Sequence, residues 1–186
     1  MKNRQQLMVI LIAGMLVFIS CNDDGNLRTG TYTDTTMTGN AGESREVDFV
    51  TDVAESNAKL IPLLNAGISQ GMDSELKTNA QKMLSDQQAL RLELIDYAQK
   101  NNIDLPDTDT SSIVDNINEK PGVEWDQEWA DEVGDDHLRL LNRFERANKR
   151  INDDTELKNI ITKTLPKLQS NWDVSKKLED NFDKRS

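Results

Sequence analysis

The chain has 186 residues, with 22 basic and 33 acidic side chains, a net charge of −11 and one cysteine. That length suits one domain, and a single cysteine excludes an intramolecular disulfide scaffold. The acidic excess argues against nucleic acid as a partner, because phosphate binding needs concentrated positive charge. It argues equally against adhesion of the folded body to anionic lipid.

Residues 1–20 open with Lys2 and Arg4 and continue as the apolar run LMVILIAGMLVFIS, from Leu7 to Ser20. A basic start followed by a short apolar region reads as a secretory signal, and the run is short for a membrane span. It stops at Cys21. The sequence VFISC resembles the lipobox of bacterial lipoproteins, with Phe18 in place of the usual Leu. The resemblance implies cleavage before Cys21 and a lipid on its sulfur and new amino group. The partner is then a membrane, reached through a lipid anchor, and the location is the bacterial cell envelope, at the outer membrane. The acidic NDDG after Cys21 resembles the export signals of surface-exposed lipoproteins. Cleavage removes two of the 22 basic residues and none of the 33 acidic ones, so the net charge moves from −11 to −13. Residues 21–45 carry the lipidated cysteine and a stretch rich in Thr, Gly, Asp and Asn. That stretch reads as a flexible tether with a reach of roughly 25–30 Å by random-coil scaling.

Residues 46–186 form the predicted domain, with four helical segments. The first spans about 46–69, with the stripe Val50, Val53, Leu60, Leu64 and Ile68, and Pro62 is expected to bend or break it. The second spans about 74–101, with Asp73 as cap and Leu76, Ala80, Met83, Leu90, Leu94 and Tyr97 at helical spacing. Residues 107–123 make a long connection with a turn or two of helix in SSIVDNINEK. The third spans about 124–151, with Trp125, Trp129, Val133, Leu140 and Phe144. The fourth runs from DDTE to about 182, with Leu157, Ile161, Leu168, Leu178 and Phe182. Asp153 and Glu156 there have capping-box spacing, and Pro166 predicts a kink. DSELKTNAQKML (73–84) and DTELKNIITKTL (154–165) form a faint repeat, each opening a helix. The fold class is all-α: an antiparallel four-helix bundle with a long connection between helices two and three.

Each apolar stripe has one polar gap: Asn57, Gln87, His137 and Asn171. All lie near mid-helix, where positions in a bundle meet at similar height. They could form one buried polar layer, in which amides and imidazole satisfy one another. The alternative is that one or two point outward at a stripe edge.

The blocks DFVTDVAESNAKL, LKTNAQKMLSDQQALRLELIDYAQKNNIDLP, WDQEWADEVGDDHLRLLNRFERA and DTELKNIITKTLPKLQSNW resemble the ferritin-like domain-of-unknown-function family 4142. These are bacterial proteins often described as predicted outer membrane proteins. The resemblance covers about residues 46–180 and implies a ferritin-like bundle. It also implies histidines at three positions, occupied here by Gln87, His137 and Asn171. Acidic residues are usual on the family's first helix, where this chain has Lys59 and Ile61.

A di-iron site of ferritin type needs inward Glu residues and Glu-x-x-His pairs. Gly134 stands three residues before His137, and the chain has no other histidine. Neutral amides are poor ligands for transition metals. No metal site, no cofactor and no catalytic residue is therefore assigned. The weaker alternative is a metal-binding protein in which His137 and nearby carboxylates hold one ion. The expected function is non-enzymatic: a structural, interaction or ligand-binding role at the envelope, with partner unknown. The tryptophans are read as packing and the acidic runs DQEWADEVGDD and LEDNFDK as solvated faces.

Overall fold

Apolar residues spaced three and four apart become helices in the computed structural model, which describes residues 41–185 apart from the side chains of residues 41–44, 116 and 118. The elements are α1 (Ala41–Gln70), α2 (Ser74–Lys100), the short α3 (Asp115–Asn118), α4 (Val123–Arg150) and α5 (Thr155–Asp183). Four are long, and no strand occurs among the described residues. The predicted third and fourth helices are thus α4 and α5. The expected signal, Cys21 and the tether up to residue 40 lie outside the described residues. α1 starts at Ala41, five residues before the expected Glu46, because Ala41, Glu43 and Arg45 favour helix. Among the described residues no helix is long and apolar enough to cross a membrane.

Pro62 does not break α1, and α5 runs through Pro166. A proline removes one helical bond. The buried Leu60, Leu63 and Leu64 hold α1 in place on both sides of that gap. Asp73 caps α2, accepting from the amides of Glu75 at 2.8 Å and Leu76 at 3.1 Å. α2 ends in a Schellman turn: Ile103 N–H donates to Ala98 O at 2.9 Å, and Asn102 takes the left-handed conformation with φ 54°. Asn tolerates that conformation better than most residues do. α5 is capped by Asp154, not by the expected Asp153. The Asp154 carboxylate accepts from Leu157 N at 2.7 Å and from the Tyr97 hydroxyl at 2.6 Å. The second contact ties this helix start to the end of α2 and selects which aspartate caps.

α1 packs on α2 and α4, and α5 packs on the same two helices. Cross-helix partners run in opposite chain order. Between α2 and α5 the ion pairs are Lys177–Glu75, Lys163–Glu93 and Lys100–Glu156. Between α1 and α4, Asp52 meets Arg143 and Leu63 meets Trp129.

The core divides into two apolar clusters. One gathers Phe49, Val53, Leu90, Leu140, Ile161 and Leu168 with their neighbours. The other gathers Leu60, Met83, Trp129, Val133 and Leu178 with theirs. Along every long helix the boundary between the clusters falls at a polar residue.

Candidate functional site

The boundary residues are Asn57 on α1, Gln87 on α2, His137 on α4 and Asn171 on α5. All four are at most 1 % exposed. Each occupies a helical register position whose neighbours one turn away are core leucines, valines or methionine, so the helix directs it inward.

Three of them form a hydrogen-bonded chain. His137 Nδ1 lies 2.8 Å from Val133 O, one turn back on its own helix. A carbonyl only accepts, so Nδ1 carries the proton and Nε2 offers a lone pair. Gln87 Nε2 lies 3.5 Å from His137 Nε2 and donates to it. Gln87 Oε1 then faces the other way and accepts from Asn57 Nδ2 at 2.9 Å. Asn57 Nδ2 also donates to the Gln87 backbone carbonyl at 2.9 Å. Every donor meets an acceptor along this path. Turning the Gln87 amide over would place two N–H groups against each other at Asn57. The contact to Val133 therefore fixes the polarity of the whole chain.

Asn171 is not joined to it. Its Oδ1 accepts from Lys82 Nζ at 3.3 Å, its Nδ2 has no partner, and its backbone carbonyl accepts from Ser175 Oγ at 3.0 Å. Gln87 and Asn171 line opposite walls of one cavity of about 10 Å³, with Asp86, Leu90, Thr164 and Leu168. Asn57 Oδ1 is also buried without a partner. The structure thus brings Asn57, Gln87 and His137 into contact and leaves Asn171 beside them.

Burial depresses the basicity of His137, pulling its pKa down to about 4; the bond to Val133 and the charge of Asp86 oppose this weakly. At neutral pH the ring is uncharged. Asp86 turns away from the layer to pair with Lys82 at 3.4 Å and Lys167 at 3.3 Å. Asp135 and Asp136 pair with Arg139. Among the described residues no group of three or more His, Cys, Asp or Glu side chains is placed to hold a metal ion. The residues present do not fit a ferritin-type metal: both nitrogens of the single imidazole are engaged, and the facing groups are amides.

The acidic runs are not wholly solvated faces. Asp126 is 2 % exposed. Its carboxylate accepts from Met72 N at 2.9 Å and Asp73 N at 2.8 Å, clamping the α1–α2 turn from α4. The tryptophans do not form one group. Trp125 and Trp129 belong to one cluster, and Trp172 packs against the other. Trp129 Nε1 donates to Leu63 O at 2.7 Å.

A four-helix protein with a neutral hydrogen-bonded layer through its middle is the class that fold and site define. The chain belongs to the family described as Domain of unknown function (DUF4142), which matches residues 33–178. No match was found among curated proteins or among solved structures.

Proposed function

We propose that this protein is a bacterial cell-envelope lipoprotein, held at the outer membrane by lipid on Cys21, whose folded part is an antiparallel, ferritin-like four-helix bundle with a non-enzymatic role. The opposite chain order of the cross-helix pairs supports the antiparallel arrangement. The basic start, apolar run and following cysteine support the anchor. The observation that carries the non-enzymatic role is the closed chain from Asn57 to Val133. It leaves His137 with no free nitrogen for a metal or a proton transfer, and its neighbours there are amides rather than acids or nucleophiles. A structural or interaction role fits a layer of this kind, because buried polar contacts fix helix register.

The test is mass spectrometry and metal analysis of one membrane preparation of the full chain. The expected product begins at Cys21 with acyl mass on it, and Cys21→Ser abolishes the modification. Stoichiometric iron, zinc or manganese that disappears in His137→Ala would overturn the non-enzymatic reading in favour of metal binding.

A further inference from the structure

The charge of α4 is strongly segregated. Residues 123–136 carry seven acidic side chains and no basic one, while residues 137–150 carry five basic side chains and one acidic one. Part of this matches the helix dipole, which favours acids at the N-terminus and cations at the C-terminus. The dipole does not account for Arg45. That residue lies near the start of α1, where a cation is disfavoured, yet it lines one recess with Arg143, Arg146 and Arg150 of α4. The recess holds about 260 Å³ and is floored by Phe49, Ala147 and Ile151, with Asp48 and Asp52 as its only acids.

Arg143 is committed within the fold, to Asp52 at 3.4 Å and to Ser56 Oγ at 2.9 Å. Arg45, Arg146 and Arg150 are exposed and make no ion pair among the described residues. Four arginines therefore face two aspartates on a chain of net charge −11. Gathering unpaired cations costs repulsion in the free protein. An anion repays it, and the planar guanidinium suits phosphate oxygens.

The recess lies where α1 begins, so residues preceding Ala41 meet the bundle at this end. We propose that the Arg45, Arg143, Arg146 and Arg150 recess binds the phosphates of anionic lipid headgroups and seats this end of the bundle on the membrane. The proposal rests on the tethered-lipoprotein reading for its geometry. The overall negative charge does not forbid it. Asp131 lies about 22 Å from Arg146 along the helix, at 1.5 Å per residue, and the Debye length is about 8 Å at physiological salt. The membrane at this end meets the local charge.

The test is sedimentation of the full chain carrying Cys21→Ser with vesicles of phosphatidylcholine alone or mixed with phosphatidylglycerol. The triple variant Arg45→Gln/Arg146→Gln/Arg150→Gln is compared with Lys77→Gln/Lys120→Gln/Lys184→Gln, which removes the same charge from exposed sites outside the recess. Each cation at an anionic surface contributes roughly fivefold in binding. The arginine triple is expected to lose at least about tenfold on the mixed vesicles, each single arginine variant roughly fivefold, and the lysine triple much less. Equal losses in the two triples, no loss in the arginine variants, or equal binding of the parent to both vesicle types would overturn the proposal. Residues 1–20 are present in every arm and cancel. Since Cys21 is absent throughout, failure here leaves the acylation reading standing, and failure of acylation leaves this comparison intact.

Discussion

His137 is neutral inside the folded protein over a pH range in which the unfolded chain would protonate it. An unfolded histidine titrates near 6.5, whereas burial holds the folded ring down to about 4. Between those values the unfolded state binds the extra proton, so stability falls as pH falls. The loss reaches about 2–3 kcal/mol by the lower end of that window. Urea unfolding at pH 7 and pH 4.5 should show this loss in the wild type and not in His137→Gln, which keeps a neutral polar group. Equal pH dependence in both would show that the ring is not held neutral by its burial. The amides beside it separate by partner. Gln87→Leu strands His137 Nε2 and removes one acceptor from Asn57, so it should cost about 2–3 kcal/mol. Asn171→Leu deletes a buried donor that has no partner and should be neutral or stabilising by about 1 kcal/mol. Urea midpoints decide the matter, and equal losses at the two sites would refute the division drawn between them.

At the scale of the element, the helices were legible because their contacts are periodic. The stripes of α2 and α5 named in the sequence are buried throughout. Helix starts were legible where a local rule applied. The repeat aligned Asp73 with Asp154, and both are caps. The capping-box spacing pointed one residue early, because it could not include the Tyr97 hydroxyl that holds Asp154 from another helix. Asp126 was illegible for the same physical reason. It sits in an acidic run, and its partners are backbone amides more than fifty residues away in the chain, which leave no side-chain motif. The polar gaps marked Asn57, Gln87, His137 and Asn171, but spacing alone cannot show which amide faces which neighbour. Replacing Asp126 should test how far the clamp holds the α1–α2 turn. Asp126→Ala leaves the amides of Met72 and Asp73 without their acceptors and should cost about 1–3 kcal/mol. Asp126→Asn keeps one acceptor oxygen and should cost less. Hydrogen exchange at those two amides should quicken in the same order, and unchanged exchange in Asp126→Ala would remove the clamp from the account.

Over the whole molecule the charges do not balance, and the question is whether ion pairs or repulsion dominate. Several ion pairs have both partners well exposed, such as Lys59–Glu55 and Lys100–Asp96, and exposed pairs contribute between nothing and about 1 kcal/mol each. Against them stands the acidic half of α4. Burial first, then neighbouring acids, holds the carboxyls of Asp131 and Glu132 above the usual carboxylate range; burial does the same for Asp136 against the pull of Arg139. A carboxyl whose folded pKa is raised gains stability as pH falls through that value, opposite in sign to His137. Acid titration therefore mixes two opposing terms, and salt separates them. Raising sodium chloride from about 10 mM to about 150 mM shortens the Debye length from about 30 Å to about 8 Å. Repulsion spread over a whole surface is screened more than ion pairs in contact. The thermal midpoint should then rise by about 2–4 °C, the shift that about 1 kcal/mol gives in a domain of this size. Asp131→Asn should raise the midpoint at low salt and lose that advantage at high salt. Chloride is the right salt, because sulfate stabilises proteins by exclusion whatever their charge. A midpoint that falls with chloride would mean that the ion pairs between helices outweigh the acidic excess. The bundle would then be held at its surface as well as by its core.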